Sequence, residues 1–159
     1  MSDLALRDFR PEDAAAVAQL FFDAVHLGTG AHYTPEQQTA WAGAAPRPPE
    51  IWVARLTGQV CKLAVQKDTL VGFMSLEPQG RIDLAYVAPQ VAGSGVAWHL
   101  YQALEAEAQR RGLRALRTEA SLSARPFFER QGWQVDAAQE VERDGVSLRN
   151  FRMSKHLEA

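Results

Sequence analysis

The chain predicts an α/β fold (α+β in some schemes): a mixed, mostly antiparallel central sheet of about seven strands, flanked by about four helices. Three observations carry this. Strand patterns at 60–67, 70–77 and 81–87 follow one another across short turns, which reads as an antiparallel meander. A strand, helix, strand succession over 81–120 implies a crossover, and so local parallel pairing within the sheet. The segments 134–141 and 146–153 close on Arg143-Asp144-Gly145, a strong hairpin turn.

In order, Leu4 to Phe9 alternates as a strand. Pro11-Glu12-Asp13 opens a helix, with proline in the first turn and acids at the positive end of the dipole. Val17, Leu20, Phe21, Ala24 and Val25 supply its apolar stripe, and Gly28-Thr29-Gly30 ends it. A second helix runs from Pro35 to about Ala42, with Thr34 as its cap. Residues 43–50 contain Pro46, Pro48 and Pro49 and read as a loop. The meander follows, turning at Lys67-Asp68 and Pro78-Gln79-Gly80. The longest helix spans about Val96 to Arg111, with Val96, Leu100, Ala103, Leu104 and Ala108 on one face and Gly112 after it. Leu113–Ala120 is a strand, Arg125–Gln131 a short helix, and the hairpin ends the pattern.

The 159 residues are expected to form one domain, 1–159. Net charge is -2, which argues against a general nucleic-acid or membrane-surface partner. No apolar run reaches the roughly 18 residues of a membrane span, and Met1-Ser2-Asp3 lacks the basic start of a signal peptide. Cys61 is the only cysteine, so no intrachain disulfide or cysteine metal cluster can form, which fits a reducing cytoplasm. Cys61 lies in a strand pattern and reads as a packed thiol. His26 and His32 do not share a helix face, and no metal site is indicated.

The residues that carry chemistry centre on Gln90-Val91-Ala92-Gly93-Ser94-Gly95, between the strand at 81–87 and the long helix. A glycine-rich turn opening a helix offers unpartnered N–H groups and the positive dipole end to an anion. Two common phosphate motifs fail here. Trp98 occupies the third glycine of the dinucleotide fingerprint, and the P-loop lysine is missing.

The loop fits a third pattern, Gln/Arg-x-x-Gly-x-Gly/Ala. The run Tyr86-Val87-Ala88-Pro89-Gln90-Val91-Ala92-Gly93-Ser94-Gly95-Val96-Ala97 resembles the signature of the GNAT superfamily of N-acetyltransferases. A second family pattern resembles Ser121, Ala124, Phe127, Phe128, Gly132 and Trp133. Element order agrees from Leu4 to Met153. Thr118 to Glu129, with Tyr33-Thr34-Pro35-Glu36-Gln37 and Ala40-Trp41, is similar to a bacterial subgroup of largely uncharacterised members.

The resemblance implies the GNAT fold and acetyl-coenzyme A as donor, with no metal. Pyrophosphate would sit on the N–H groups of Val91, Ala92, Gly93, Ser94, Gly95, Val96 and Ala97, near Gln90. The pantetheine arm would pair with the backbone of Tyr86, Val87 and Ala88 where the strands 81–87 and 113–120 splay. Ser121, Ala124, Phe127 and Phe128 belong to the same cofactor site. The Val87 N–H would polarise the thioester carbonyl. Ser94 stands where the family commonly has a basic residue; Arg110, Arg111 and Arg125 could compensate, or are plain solvated charges on a helix end and a loop.

The reaction implied is direct attack of a primary amine, of a small molecule or peptide, on the thioester. An amine of pKa near ~10 must lose a proton, and Asp83 and Glu119 are the candidate bases. Strict alternation puts Asp83 on one face with Ala85 and Val87, opposite Ile82, Leu84 and Tyr86. The alternative for both carboxylates is a structural hydrogen-bonding role. Glu77 is a third choice. Many members place a tyrosine where this chain has Phe128; Tyr86 or Tyr101 could substitute. Acceptor binding falls to His32, Tyr33 and Trp41, with His26 and Trp52 nearby, or these aromatics simply pack the helices together.

The expectation is therefore a cytoplasmic acetyl-coenzyme A-dependent N-acetyltransferase, with a homodimer compatible. A coenzyme A-binding sensor or regulatory module with little turnover is the alternative, and an acyl-binding or assembly domain with another phosphate ligand is a third.

Overall fold

The computed structural model describes residues 3–158, so Met1 and Ser2 of the leader reading lie outside the described residues. The elements are β1 (Leu4–Asp8), α1 (Ala14–Gly28), α2 (Pro35–Ala42), α3 (Pro49–Leu56), β2 (Val60–Gln66), β3 (Thr69–Leu76), β4 (Arg81–Val87), α4 (Val96–Arg110), β5 (Ala115–Ser121), α5 (Arg125–Arg130), β6 (Gln134–Arg143) and β7 (Val146–His156). The sheet order is β1-β2-β3-β4-β5-β7-β6. Among the described residues only the β4–β5 pair is parallel.

The seven-stranded mixed sheet agrees with expectation, and the described residues hold five α-helices where about four were expected; the added one, α3, begins inside the 43–50 stretch read as loop and runs on through residues that carried no assignment. Pro49 takes the first helical position, where a missing N–H costs nothing. Trp52 and Leu56, both 2% exposed, then bury the helix against α1 and the sheet. Thr34 caps α2 as expected: its hydroxyl accepts from the Gln37 N–H at 3.1 Å, and the Gln37 side chain accepts from the Thr34 N–H at 2.9 Å.

Two apolar layers cover the two faces of the sheet. Leu100, Tyr101, Leu104 and Ala108 of α4 pack with Phe128 and Trp133 on one face. Val17, Phe21 and Val25 of α1 pack with Trp52 and Leu56 on the other. Cys61 is buried in the second layer, and burial pushes its thiol up to about 12, so it stays protonated and inert at neutral pH. Gly72 of β3 lets α4 sit close: a Cβ there would lie 3.0 Å from Val96, 3.1 Å from Leu100 and 3.2 Å from Val87. No helix among the described residues is long and apolar enough to cross a membrane.

Candidate active site

β4 is irregular at the position that matters. Ser75 pairs with Leu84 and Leu76 with Ile82, which leaves Asp83 as an extra residue, a β-bulge. The bulge resets the alternation. Ile82, Ala85 and Val87 pack on the α4 side, while Leu84 and Tyr86 pack on the α1 side. Asp83 reaches toward Arg55 of α3. The expected grouping of Asp83 with Ala85 and Val87 is therefore corrected, because strict alternation fails at an inserted residue.

The same bulge sets where the backbone points. The Ala88 N–H donates to the Val71 carbonyl at 2.8 Å. Successive strand residues turn their polar groups to opposite edges, so Ala85 and Val87 face the β5 side. There β4 and β5 pair only at Arg81 with Arg117 and at Ile82 with Thr118. The Thr118 hydroxyl donates to the Ile82 carbonyl at 2.8 Å and closes that short contact. Beyond it β4 stays on β3 and β5 stays on β7, so the two strands part. Of Tyr86, Val87 and Ala88, only Val87 presents its backbone to this gap, joined by Ala85.

β4 leads into the glycine loop. Gly93 and Gly95 have φ of 78° and 94°, in the left-handed region, and a Cβ at either would meet nothing within 4 Å. The N–H groups of Val91, Ala92 and Ser94 donate to the carbonyls of Ala88, Pro89 and Val91 within the turn. Those of Gly93, Gly95, Val96 and Ala97 have no acceptor among the described residues. The available cradle is thus a subset of the expected run from Val91 to Ala97. The Ser94 hydroxyl donates to the Val91 carbonyl at 2.5 Å and serves the turn. Gln90 is exposed beside it.

The three compensating arginines are engaged elsewhere. Arg110 and Arg111 pair with Glu107, while Arg125 lies 3.3 Å from Glu129 and 4.5 Å over the Phe151 ring. A local i,i+4 partner, or i,i+3 for Arg110, captures each of them.

On the α1–α3 side, a cleft of about 410 Å³ opens against the gap. Ala85, Thr118, Ala120, Ser121, Ala124 and Phe128 line its inner end; Tyr33, Trp41 and Tyr86 form an aromatic wall; Asp83 and Glu119 both reach it. Phe127 does not line the cleft and packs on Tyr101 and Phe128. His32 lies outside too: its Nδ1 sits 3.1 Å from the Ser123 hydroxyl. The Tyr33 hydroxyl donates to the Arg149 carbonyl at 2.6 Å and accepts from the Leu122 N–H at 3.0 Å, so it clips β7 to the end of β5 while its ring faces the cleft. Trp41 packs on Tyr33 at 5.2 Å and Tyr86 at 6.3 Å between ring centroids. His26 is turned to the Gly43 carbonyl, and Trp52 is core and also borders the cleft.

The two carboxylates differ. Asp83 is 4% exposed in its side chain and accepts from Arg55 at 2.9 and 3.0 Å, Gln59 at 2.9 Å and Arg81 at 3.3 Å. Burial pushes its carboxyl up, but the hydrogen bonds of Arg55 and Gln59 and the charges of Arg55 and Arg81 outweigh it, so the net shift is down. Glu119, 41% exposed, accepts from Arg81 and Gln139, both at 2.8 Å. The Gln139 hydrogen bond, opposed by partial burial and joined by Arg81, holds it below its ordinary value. Glu77 also leans on Arg81, at 3.5 Å.

Phe128, 2% exposed, has no proton to give. Burial pushes the Tyr86 hydroxyl up to about 12, so passing its proton to a thiolate, whose acid has pKa near ~8.5, runs uphill. Tyr101 lies on the buried face of α4, where it accepts from the Trp133 ring N–H at 2.9 Å and donates to Glu105, and it does not line the cleft. Among the described residues no cluster of three or more His, Cys, Asp or Glu could hold a metal.

The sequence reading missed Arg47, Arg55, Arg81 and Asn150, all of which line the cleft. Arginine inside an otherwise apolar stretch, as in Ile51-Trp52-Val53-Ala54-Arg55, was the one available signal.

The acetyltransferase (GNAT) domain profile matches residues 30–155. The uncharacterized N-acetyltransferase YafP of Escherichia coli (strain K12) is 32% identical over 154 residues, 96% of each chain. A structure from Rhodopseudomonas palustris, described as a GCN5-related N-acetyltransferase and as a class-II aminotransferase, is 39% identical, with a TM-score of 0.92 over 99% of this chain and 98% of that one. YncA from Salmonella typhimurium, a putative acetyltransferase solved with its cofactor acetyl-CoA, shares the fold at 19% identity and a TM-score of 0.75, over 98% and 95%. With its parted parallel strands, its glycine loop and these relatives, the chain belongs to the GNAT acetyltransferase family.

Proposed function

We propose that this protein transfers an acetyl group from acetyl-coenzyme A to a primary amine of a small molecule. One observation carries the reading: a cradle of unpartnered amides and a cleft holding an accessible carboxylate meet the same gap between β4 and β5. The free N–H groups of Gly93, Gly95, Val96 and Ala97 suit pyrophosphate oxygens. Ala85 and Val87 offer backbone groups to an extended arm, and the Val87 N–H suits the carbonyl oxygen where charge develops.

The acceptor amine enters from the aromatic cleft and attacks the thioester carbon. The N–C bond forms, the C–S bond breaks, and sulfur leaves with its electron pair. The nitrogen becomes acidic as it bonds to carbon, and Glu119, the more exposed carboxylate, takes its proton directly or through water. Asp83, held by four donors, instead fixes Arg55 and Arg81 around the cleft. With Phe128 in place of a proton donor, the thiolate departs without a general acid and is protonated by solvent. The buried thiol of Cys61 and the mild net charge fit a cytoplasmic protein.

Phe128 also favours a second reading, a coenzyme A-responsive module with little turnover. Free-thiol release across an amine panel, with the acetylated product identified by mass, separates the two. Transfer to at least one amine supports the enzyme. Tight acetyl-coenzyme A binding with no product from any amine favours the sensor.

A further inference from the structure

The cleft carries more positive charge than its two carboxylates balance. Five arginines line it, against Asp83 and Glu119. Arg55 and Arg81 are spoken for by those carboxylates. Arg47 is not. It comes from the segment between α2 and α3, is half-buried, and donates to the Trp41 carbonyl at 3.2 Å, with its guanidinium 6.0 Å from the Phe21 ring centre. It makes no ion pair among the described residues. Arg143, on the hairpin rim of the same cleft, makes none either. A guanidinium held beside the Phe21 ring and a backbone carbonyl and lacking a carboxylate is a prepared anion site, because its planar fork matches a carboxylate in two parallel hydrogen bonds.

A second observation lies across the cleft. Asn150 of β7 lines it, and its Oδ1 is buried with no donor among the described residues. A buried amide oxygen without a partner is costly, and an amine N–H would satisfy it. The cleft therefore offers a cation at one wall, and at another a bare acceptor on the same side of the sheet as Glu119. Its volume of about 410 Å³ suits a small molecule.

We propose that the acceptor is a small amine that itself bears a carboxylate, of the amino-acid class, with the carboxylate seated on Arg47 and the amine directed to Asn150 and Glu119. This rests on the acetyl-transfer reading above. It adds the acceptor's charge pattern and makes Arg47 a specificity residue. An acceptor carboxylate also excludes simple polyamines and neutral arylamines as preferred substrates, since Arg47 would stay unpaired in a closed complex.

The test compares L-amino acids with their carboxamides and with the matching amines that lack the carboxyl group. Two readouts are used: free-thiol release with acetyl-coenzyme A, and thermal stabilisation by the N-acetyl acids against the N-acetyl amides in the presence of coenzyme A. For the wild type, kcat/KM for the best acid should exceed that for its amide by about 10–100-fold, the range of a charge-assisted pair of hydrogen bonds. Arg47→Gln retains a donor for the Trp41 carbonyl and removes the charge. It should bring that ratio to near one by lowering the acid's value alone, and Arg47→Lys should restore part of it.

Equal or better turnover of the neutral amines by the wild type overturns the proposal and leaves acetyl transfer standing. No thiol release from any amine, with stabilisation by the N-acetyl acids that Arg47→Gln abolishes, supports the anion site and overturns the transferase. No release and no such stabilisation overturns both.

Discussion

Two regions meet at the gap between β4 and β5, and they are built from different material. The loop from Pro89 to Ala97 offers backbone amides, fixed by two glycines in the left-handed region. The cleft beneath α1, α2 and α3 offers side chains: arginines, aromatics, two carboxylates and an asparagine drawn from eight separate elements and two connecting segments. A backbone site depends on local conformation and is generic for one ligand chemistry. A side-chain site depends on which remote residues the fold assembles. The first is suited to a constant donor and the second to a particular acceptor.

Variants can break one side and spare the other. The largest effect is expected at Gly93→Glu, which strains a left-handed residue and sets a negative charge in the cradle. Affinity for coenzyme A by calorimetry should fall about 100-fold or more, a loss of ~3 kcal/mol. The fold should survive, because nothing lies within 4 Å of a Cβ there. Next comes Glu119→Gln. Turnover should fall about 100-fold, the low end of what a positioned base contributes, while donor affinity stays within a factor of two of wild type. An unchanged kcat at neutral pH would remove Glu119 from the mechanism.

Gly72→Val acts on the donor side from behind. Its side chain would push into Val96 and Leu100 and lift the start of α4. Overpacking of this kind costs about 1–3 kcal/mol, and donor affinity should fall roughly tenfold, about half of that range. Thermal unfolding and calorimetry read the two parts. Asp83→Asn should do the reverse of Glu119→Gln. It weakens a nearly buried carboxylate with four donors and should cost about 1–2 kcal/mol of stability, discounted because Arg55 is itself 46% exposed, with only a few-fold loss of turnover.

The smallest effect is a shift in pH dependence. Glu119 is held below its ordinary value, so it remains ionised, and competent as a base, until pH falls below that of a normal glutamate. Gln139→Leu removes the leading cause of that depression. The carboxyl then titrates higher, and the acid limb of kcat should move upward in pH. A limb that stays put separates it from Glu119.

The same contrast explains what the sequence made legible. Glycine at 93 and 95 and proline at 89 act through their own dihedrals, so the β4, loop and α4 succession could be read directly. The splay was an inference from the family resemblance, and β4 and β5 do part after Ile82. The bulge at Asp83 was not legible. No residue type marks it, and one inserted residue reverses every later side chain in the strand. Helix α3 was hidden because Pro46, Pro48 and Pro49 read as loop, although Pro49 starts the helix. Arg47 and Asn150 lie over a hundred residues apart in the chain and share the cleft only through tertiary packing. His32 was placed in the site for its position between two helices, but its ring turns to Ser123.

The central claim is that backbone amides, and not side chains, hold the donor. Titration of coenzyme A into the isotopically labelled protein, followed amide by amide in nuclear magnetic resonance, tests it most directly. The account predicts the largest shifts at Gly93, Gly95, Val96 and Ala97, with Val87 moving as well, and smaller shifts at Val91, Ala92 and Ser94, whose N–H groups are already bonded in the turn. Saturable shifts confined to the cleft residues, or no shifts in the loop at saturation, would contradict it.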